Sequence, residues 1–266
     1  GKKIHTFSIG IGDSPDLKYA KKVAEFLHSH HTEVRFTADD GINALKDVIS
    51  SLETYDCTTI RASVPMFLLS KYVSENTNIK VILSGEGADE LFGGYLYMRN
   101  APSPADFQSE SINLIYNVHK HDVLRADRST AAHGLELRVP FFDRTLISYV
   151  ISLLPEIKMA TNKIEKYILR EAFSKYLPDD ILWRQKNGMS DAVGYSWVDS
   201  MKQYAETFTC SNVYVKNKPL SNEEYLYRQL YHSLFDYHDN VSHIWRPKWT
   251  NQSDPSGALL SHFNDN

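Results

Sequence analysis

Glu86, Asp89 and Glu90 stand close together in the stretch Ser84-Gly85-Glu86-Gly87-Ala88-Asp89-Glu90. The apolar run Val81-Ile82-Leu83 before it predicts a short buried strand. Gly85 and Gly87 allow positive φ and close backbone approach. A helix is predicted to start near Ala88, with Asp89 and Glu90 in its first turn. Strand, glycine turn and helix N-terminus together offer backbone N–H groups and a positive dipole end to an anion. The turn carries no lysine, so it is not a Walker phosphate loop. Carboxylates beside a phosphate cradle predict a magnesium bridge, or a base that accepts a proton from an attacking group. The same acids would also complement a helix dipole with no chemistry at all.

Three further segments carry candidate chemistry. In Thr58-Thr59-Ile60-Arg61-Ala62-Ser63, hydroxyls and a guanidinium within one turn can hold a phosphate. The plain alternative is a threonine cap followed by a solvated arginine. Asp122, Arg125 and Arg128 share a helical face, which can grip a zwitterion or simply form surface ion pairs. Lys166 and Arg170 lie one helical turn apart, with Lys163 a turn earlier; they can meet a pyrophosphate or make an ordinary basic helix face.

The elements that must position these residues alternate. Residues 4–9 predict a strand closed by Gly10-Ile11-Gly12. Ser14-Pro15-Asp16 marks a helix start, with Ser14 able to cap. Residues 33–37 alternate as a strand, Ile42, Leu45, Val48, Ile49 and Leu52 mark a helix, and residues 66–73 form an apolar helical run. Alternating strand and helix predicts an α/β fold: a parallel sheet with helices on both faces. Ligands bind beyond the carboxyl ends of such strands, so Ile9-Gly10 and Ser84-Gly85 are expected to border one crevice. Asn100-Ala101-Pro102-Ser103-Pro104-Ala105 reads as a turn or short linker. Residues 105–177 are mainly helical, with a break at 139–143. Tyr225 to Tyr231 predicts an aromatic-rich helix, and the tail from Ser253 an irregular end.

The 266 residues suffice for one or two domains. With 29 basic and 33 acidic residues the net charge is −4, which argues against a nucleic-acid groove. No apolar run reaches membrane-spanning length. The two cysteines, Cys57 and Cys210, imply neither a disulfide framework nor a zinc site and suit a reducing, cytoplasmic setting. The histidines His28, His30, His31, His119 and His121 read as surface residues rather than metal ligands.

Taken in order, several segments resemble the synthetase domain of glutamine-dependent asparagine synthetases, over about residues 4–255. They are Ser14-Pro15-Asp16-Leu17, Glu53-Thr54-Tyr55-Asp56, Thr58 to Ser63, Ser84 to Leu91, Asp122 with Arg125, Arg138-Val139-Pro140-Phe141 and Lys166-x-x-Leu169-Arg170. Trp245-Arg246-Pro247-Lys248-Trp249 with Asp254-Pro255-Ser256 resembles the eukaryotic type. The resemblance implies an ATP-pyrophosphatase (adenine nucleotide alpha hydrolase-like) fold with a mainly helical C-terminal region. Residues 1–100 would be the nucleotide-binding α/β part and residues 101–266 the mainly helical remainder. It implies attack of aspartate's side-chain carboxylate on ATP, with Mg2+ as cofactor. The products would be β-aspartyl-AMP and pyrophosphate, and ammonia would then displace AMP. By resemblance, Ile9, Ser84 and Gly85 are nucleotide contacts and Glu86 takes the proton from ammonia. Asp89 is a magnesium ligand, Thr58, Thr59, Arg61 and Lys166 are pyrophosphate-side groups, and Asp122 and Arg125 form the aspartate pocket.

The family's first strand and its Ser-Gly-Gly-x-Asp-Ser loop precede the segment at Ile4 and are not in this sequence; nor is the glutaminase half that supplies ammonia from glutamine. The chain is therefore expected to need such segments as partners and to be severely impaired in activating aspartate without them; a homodimer is left open. Ala88 replaces a serine common in the family. Two rival readings remain: a related carboxylate-adenylating synthetase of the β-lactam-forming kind, where tyrosine typically replaces the loop glutamate, and a non-catalytic partner-binding paralogue. A dinucleotide dehydrogenase fails because Pro15 occupies the third glycine position after Gly10-x-Gly12.

Overall fold

The computed structural model describes residues 4–160, 163–186, 193–208, 213–236, 241 and 244–251. Strand β1 (His5–Gly10) leads through helix α1 (Pro15–Phe26) to β2 (His30–Arg35), and the two strands pair in parallel, His5 opposite His30 and Gly10 opposite Arg35. Ser14 occupies the N-cap position of α1, yet its side chain makes no capping bond; Pro15 starts the helix. Helix α2 (Ala38–Leu52) begins earlier than its apolar spacing predicts, because Thr37 and Asp40 form a reciprocal capping box. That box takes Thr37 out of the second strand.

Helix α3 (Cys57–Asn76) absorbs both the Thr58–Ser63 segment and the apolar run after it, although Pro65 lies inside. Proline has no N–H, so the carbonyl one turn back loses its helical partner. Here that carbonyl belongs to Arg61, and the indole Nε1 of Trp197 donates to it at 3.0 Å. Trp197 comes from the helix Tyr195–Glu206 and lies against Gly41, where a Cβ would collide with the indole. The main core surrounds this point, with Val48, Ile49, Ile60, Val64, Met201 and Tyr227 buried.

Strand β3 (Val81–Leu83) precedes α4 (Ala88–Phe92) and, after a 3-10 turn at Leu96–Asn100, α5 (Pro104–Asn117) and α6 (Asp122–Ala131). The partner of β3 is β4 (Glu136–Arg138), a parallel strand that helical patterning hid; Leu83 stands opposite Arg138. The helices α7 (Arg144–Ser152), α8 (Pro155–Lys158), α9 (Tyr167–Ala172) and α10 (Asp179–Leu182) follow, and the aromatic-rich stretch lies in the helix Asn222–Leu234. The tail from Ser253 and Cys210 fall outside the described residues.

The expected parallel pairing is present, but as two separate two-stranded sheets rather than one sheet. The expectation that β3 is buried is also corrected. Val81 is 50% and Leu83 74% exposed; these alternate residues share one face of the strand, and β4 is its only strand partner among the described residues. Parallel strands ordinarily need cover on both faces. No helix among the described residues is long and apolar enough to cross a membrane.

Candidate active site

The turn after β3 is built on Gly87, whose φ of 99° lies in the left-handed region and whose Cα faces Phe141 and Phe142 closely. A side chain there would be strained and crowded. The turn thereby delivers Glu86, Asp89 and Glu90 to one end of α4. Glu86 Oε2 accepts from Arg125 Nη2 at 2.9 Å, and the same nitrogen donates to Asp122 Oδ1 at 2.9 Å. Arg125 is thus shared by two carboxylates, and Met66 Sδ of α3 lies 3.9 Å from its Nη1. The Tyr95 hydroxyl lies 2.9 Å from Glu90 Oε1 and 3.0 Å from Asp122 Oδ2. On the other side Lys166 Nζ donates to Asp89 Oδ1 at 2.7 Å, and Lys186 Nζ stands 3.9 Å from Asp89 Oδ2.

One connected cluster results: Lys166 and Lys186 at Asp89, then Glu90, Tyr95 and Asp122, then Arg125 and Glu86. Its electrostatics differ from end to end. Burial pushes the Glu86 carboxyl above its ordinary value; the Arg125 charge opposes this and the Asp122 charge adds to it. Burial, with the charges of Asp122 and Asp89, pushes Glu90 up to about 8. Burial would also raise Asp89, but Lys186 and Lys166 outweigh it and hold this carboxyl at about 2. Asp89 is therefore firmly ionised, while Glu86 is a stronger base than an exposed glutamate. A cavity of about 140 Å³ opens beside Glu90 and Asp122, and a groove of about 360 Å³ with a basic rim of Lys166, Arg170, Arg184 and Lys186 opens on the other side.

Other expected site residues lie elsewhere. Arg61 is not open to a ligand. It is 2% exposed; its Nε donates to Glu223 Oε1 at 2.6 Å and its Nη2 to the other Glu223 oxygen. The reason is a carboxylate supplied from the helix Asn222–Leu234, far away in sequence. Thr59 donates through both its N–H and its hydroxyl to Asp56 Oδ1, so the cap of α3 is Asp56 rather than a threonine. Thr58 Oγ1 is buried without a hydrogen-bond partner among the described residues. Ile9 is a core residue, and Ser84 N donates to Arg138 O at 2.9 Å. Gly85 is exposed, with open space beside its Cα. Ile9-Gly10 and Ser84-Gly85 end two different sheets.

Among the basic residues, Arg170 is committed to Glu165 and to the carbonyls of Leu182 and Arg184. Lys163 Nζ lies over the Tyr167 ring, 3.8 Å from its centroid. Arg128 turns away to the exposed Glu53. Two cluster members escaped sequence reasoning. Lys186 is distant in sequence and carries no local signal. Tyr95 closes the Gly93-Gly94-Tyr95 turn, and the run of glycines before it was the available sign.

The asparagine synthase family model matches residues 1–113 and 100–260. Asparagine synthetase [glutamine-hydrolyzing] from Mesocricetus auratus is 48% identical over 277 residues, covering 98% of this chain and 49% of the relative. The Homo sapiens protein of that name is 48% identical over 273 residues, with the same coverage. The probable asparagine synthetase [glutamine-hydrolyzing] of Schizosaccharomyces pombe is 48% identical over 96% of the chain. This chain belongs to the asparagine synthase family. It spans about half the length of the relatives it matches.

Proposed function

We propose that this domain performs the ATP-dependent amidation of aspartate to asparagine through β-aspartyl-AMP. The observation that carries the reading is the connected cluster. It sets two lysines beside an ionised aspartate at one end and a carboxylate with a raised pKa beside an arginine at the other, in a chain of this family. In the first step the aspartate side-chain oxygen bonds to the α-phosphorus, and the bond to diphosphate breaks. Lys166 and Lys186, beside Asp89, would stabilise the departing charge, while Arg61 is engaged by Glu223. In the second step the ammonia nitrogen bonds to the side-chain carbonyl carbon, the bond to AMP breaks, and Glu86 takes the proton. Arg125 turns from Glu86 and Asp122 toward the substrate carboxylate.

Asp89 suits magnesium, because it is ionised and magnesium needs only one or two carboxylates when substrate phosphates supply other oxygens. Bound there, the ion would neutralise charge on the diphosphate. Among the described residues no group of three or more metal-binding side chains converges, which suits an ion held largely by phosphates and water. Ser84 and Gly85 remain the AMP contacts of this reading and Thr58 a phosphate-side hydroxyl. Ammonia would come from glutamine through a glutaminase domain, in the cytoplasm.

The test uses ammonia as nitrogen donor and a polypeptide in which this chain follows a Ser-Gly-Gly-x-Asp-Ser segment, since the chain alone is expected to be severely impaired. AMP and asparagine should form in equal amounts. Glu86→Gln should keep its fold and its ATP affinity and lose asparagine formation by about 10²–10⁴-fold. Asparagine produced at the unaltered rate by Glu86→Gln, or no aspartate-dependent AMP from the parent protein, would refute the reading.

A further inference from the structure

The segment Trp245-Arg246-Pro247-Lys248-Trp249 has no place in the chemistry above, yet it touches several elements around the cluster. The Trp245 N–H donates to Asp56 Oδ2 at 2.8 Å. The other oxygen of Asp56 accepts from the N–H and hydroxyl of Thr59 at 2.8 and 2.7 Å, and Asp56 is fully buried. One carboxylate therefore ties the segment to the first turn of α3. The Trp245 indole packs on Tyr95 and Tyr97, with ring centroids 6.2 and 5.8 Å apart. Arg246 pairs with Glu224 at 2.6 Å, Lys248 pairs with the buried Glu110, and Asn100 Nδ2 donates to the Trp249 carbonyl at 3.2 Å.

Tyr95 is the member of the cluster whose placement matters most. Its hydroxyl spans Glu90 and Asp122, and its ring carries Lys186 Nζ 5.1 Å from the centroid. A phenol hydroxyl has one hydrogen and must lie within hydrogen-bond distance of two carboxyl groups, so a small ring displacement breaks one contact. Stacking on Tyr97, at 6.0 Å, fixes one side of the ring, and Trp245 supplies the neighbouring wall.

We propose that Trp245 is a positioning residue of the active site. Its indole sets the Tyr95 ring, and hence the Glu90–Tyr95–Asp122 bridge, while its backbone N–H anchors the same strap to the Asp56 cap of α3. The inference rests on the reading of Asp122 and Arg125 as the aspartate pocket. Trp245 acts on aspartate only through Tyr95.

The test labels Tyr95 with 3-fluorotyrosine and follows its fluorine resonance in the protein with no ligand added. Trp245→Ala should shift or broaden the resonance, and Trp245→Phe should largely restore it. In calorimetric titrations with aspartate, Trp245→Ala should bind about tenfold more weakly and Trp245→Phe should recover most of the loss. In a Tyr95→Phe background Trp245→Ala should cost less than about twofold more, because both changes break one path. An unchanged fluorine resonance in Trp245→Ala overturns the proposal, as does an additive loss in the double variant. A resonance that moves while the parent protein binds no aspartate supports the strap and counts against the aspartate pocket. If Trp245→Ala does not fold, Trp245→Leu carries the same comparison.

Discussion

Arg61 and Arg125 are both buried arginines held by carboxylates, and their surroundings differ. Arg61 is sealed: both oxygens of Glu223 meet it, the Tyr227 hydroxyl donates to Glu223 Oε1 at 2.7 Å, and both side chains of the pair are 2% exposed. Arg125 has more acid around it and less enclosure. Its side chain is 4% exposed, but Glu86 is 15% and Asp122 31% exposed. A sealed pair with matched charge locks helices together and has no vacancy for a ligand. A cation shared between two partly accessible carboxylates can exchange partners at modest cost, which is what a substrate needs. Access and surplus charge, rather than residue type, separate the structural arginine from the candidate catalytic neighbourhood.

The comparison can be broken at several points. Removing the carboxylate of the sealed pair should do most harm. Glu223→Ala removes the carboxylate to which Arg61 Nε and Nη2 donate and should cost about 3–5 kcal/mol in urea unfolding. Replacing both partners with leucine should be tolerated far better; equal damage from the single and double changes would show that Arg61 is not held by Glu223. Next comes Trp197→Phe, which strips the donor from the Arg61 carbonyl that Pro65 has already freed from its helix. The expected loss is about 1–3 kcal/mol by thermal or urea unfolding, and no loss would mean that the carbonyl is otherwise satisfied.

At the open cluster the sharper readout is pH. The native protein holds Glu90 at about 8, against an ordinary 4.5, so between these values it binds a proton that the unfolded chain has released. This contribution to stability is full below the unfolded value and is lost as pH rises toward 8. Glu90→Gln should flatten that part of the profile, with urea midpoints at pH 5 and pH 8 closer together than in the parent. Asp89, held at about 2, works the other way: its contribution is present above its ordinary 3.8 and fades as the medium is acidified toward 2. The smallest effect belongs to an arginine outside both environments. Arg128 pairs at 3.4 Å with Glu53 on the surface, and Arg128→Ala should change stability by less than about 1 kcal/mol.

The strand–turn–helix carrying Glu86, Asp89 and Glu90 was legible because glycine chemistry and acid placement act within a few residues. So were the Asp122–Arg125 pair at helical spacing and most helices with a clear apolar face. The pairing of β3 with β4 was not legible, because three-residue strands lack a period long enough to read. The start of α2 was missed because the Thr37–Asp40 box, not the apolar stripe, decides it. Arg61 shows the limit most clearly. Next to two threonines it has the makings of a phosphate clamp, and nothing local reveals that Glu223, 162 residues on, closes its fork. Lys186 reaches Asp89 for the same reason in reverse.

Amino-acid order alone determined the family, the acidic turn and the local geometry of the groups on it, since these depend on neighbours within a turn or two of backbone. Tertiary packing alone decided which cations serve the acids, which arginine is walled off and which tyrosine joins Glu90 to Asp122. Burial and charge compensation are set by side chains that meet only after distant helices have docked, and their energies depend on exclusion of water that no single segment achieves by itself.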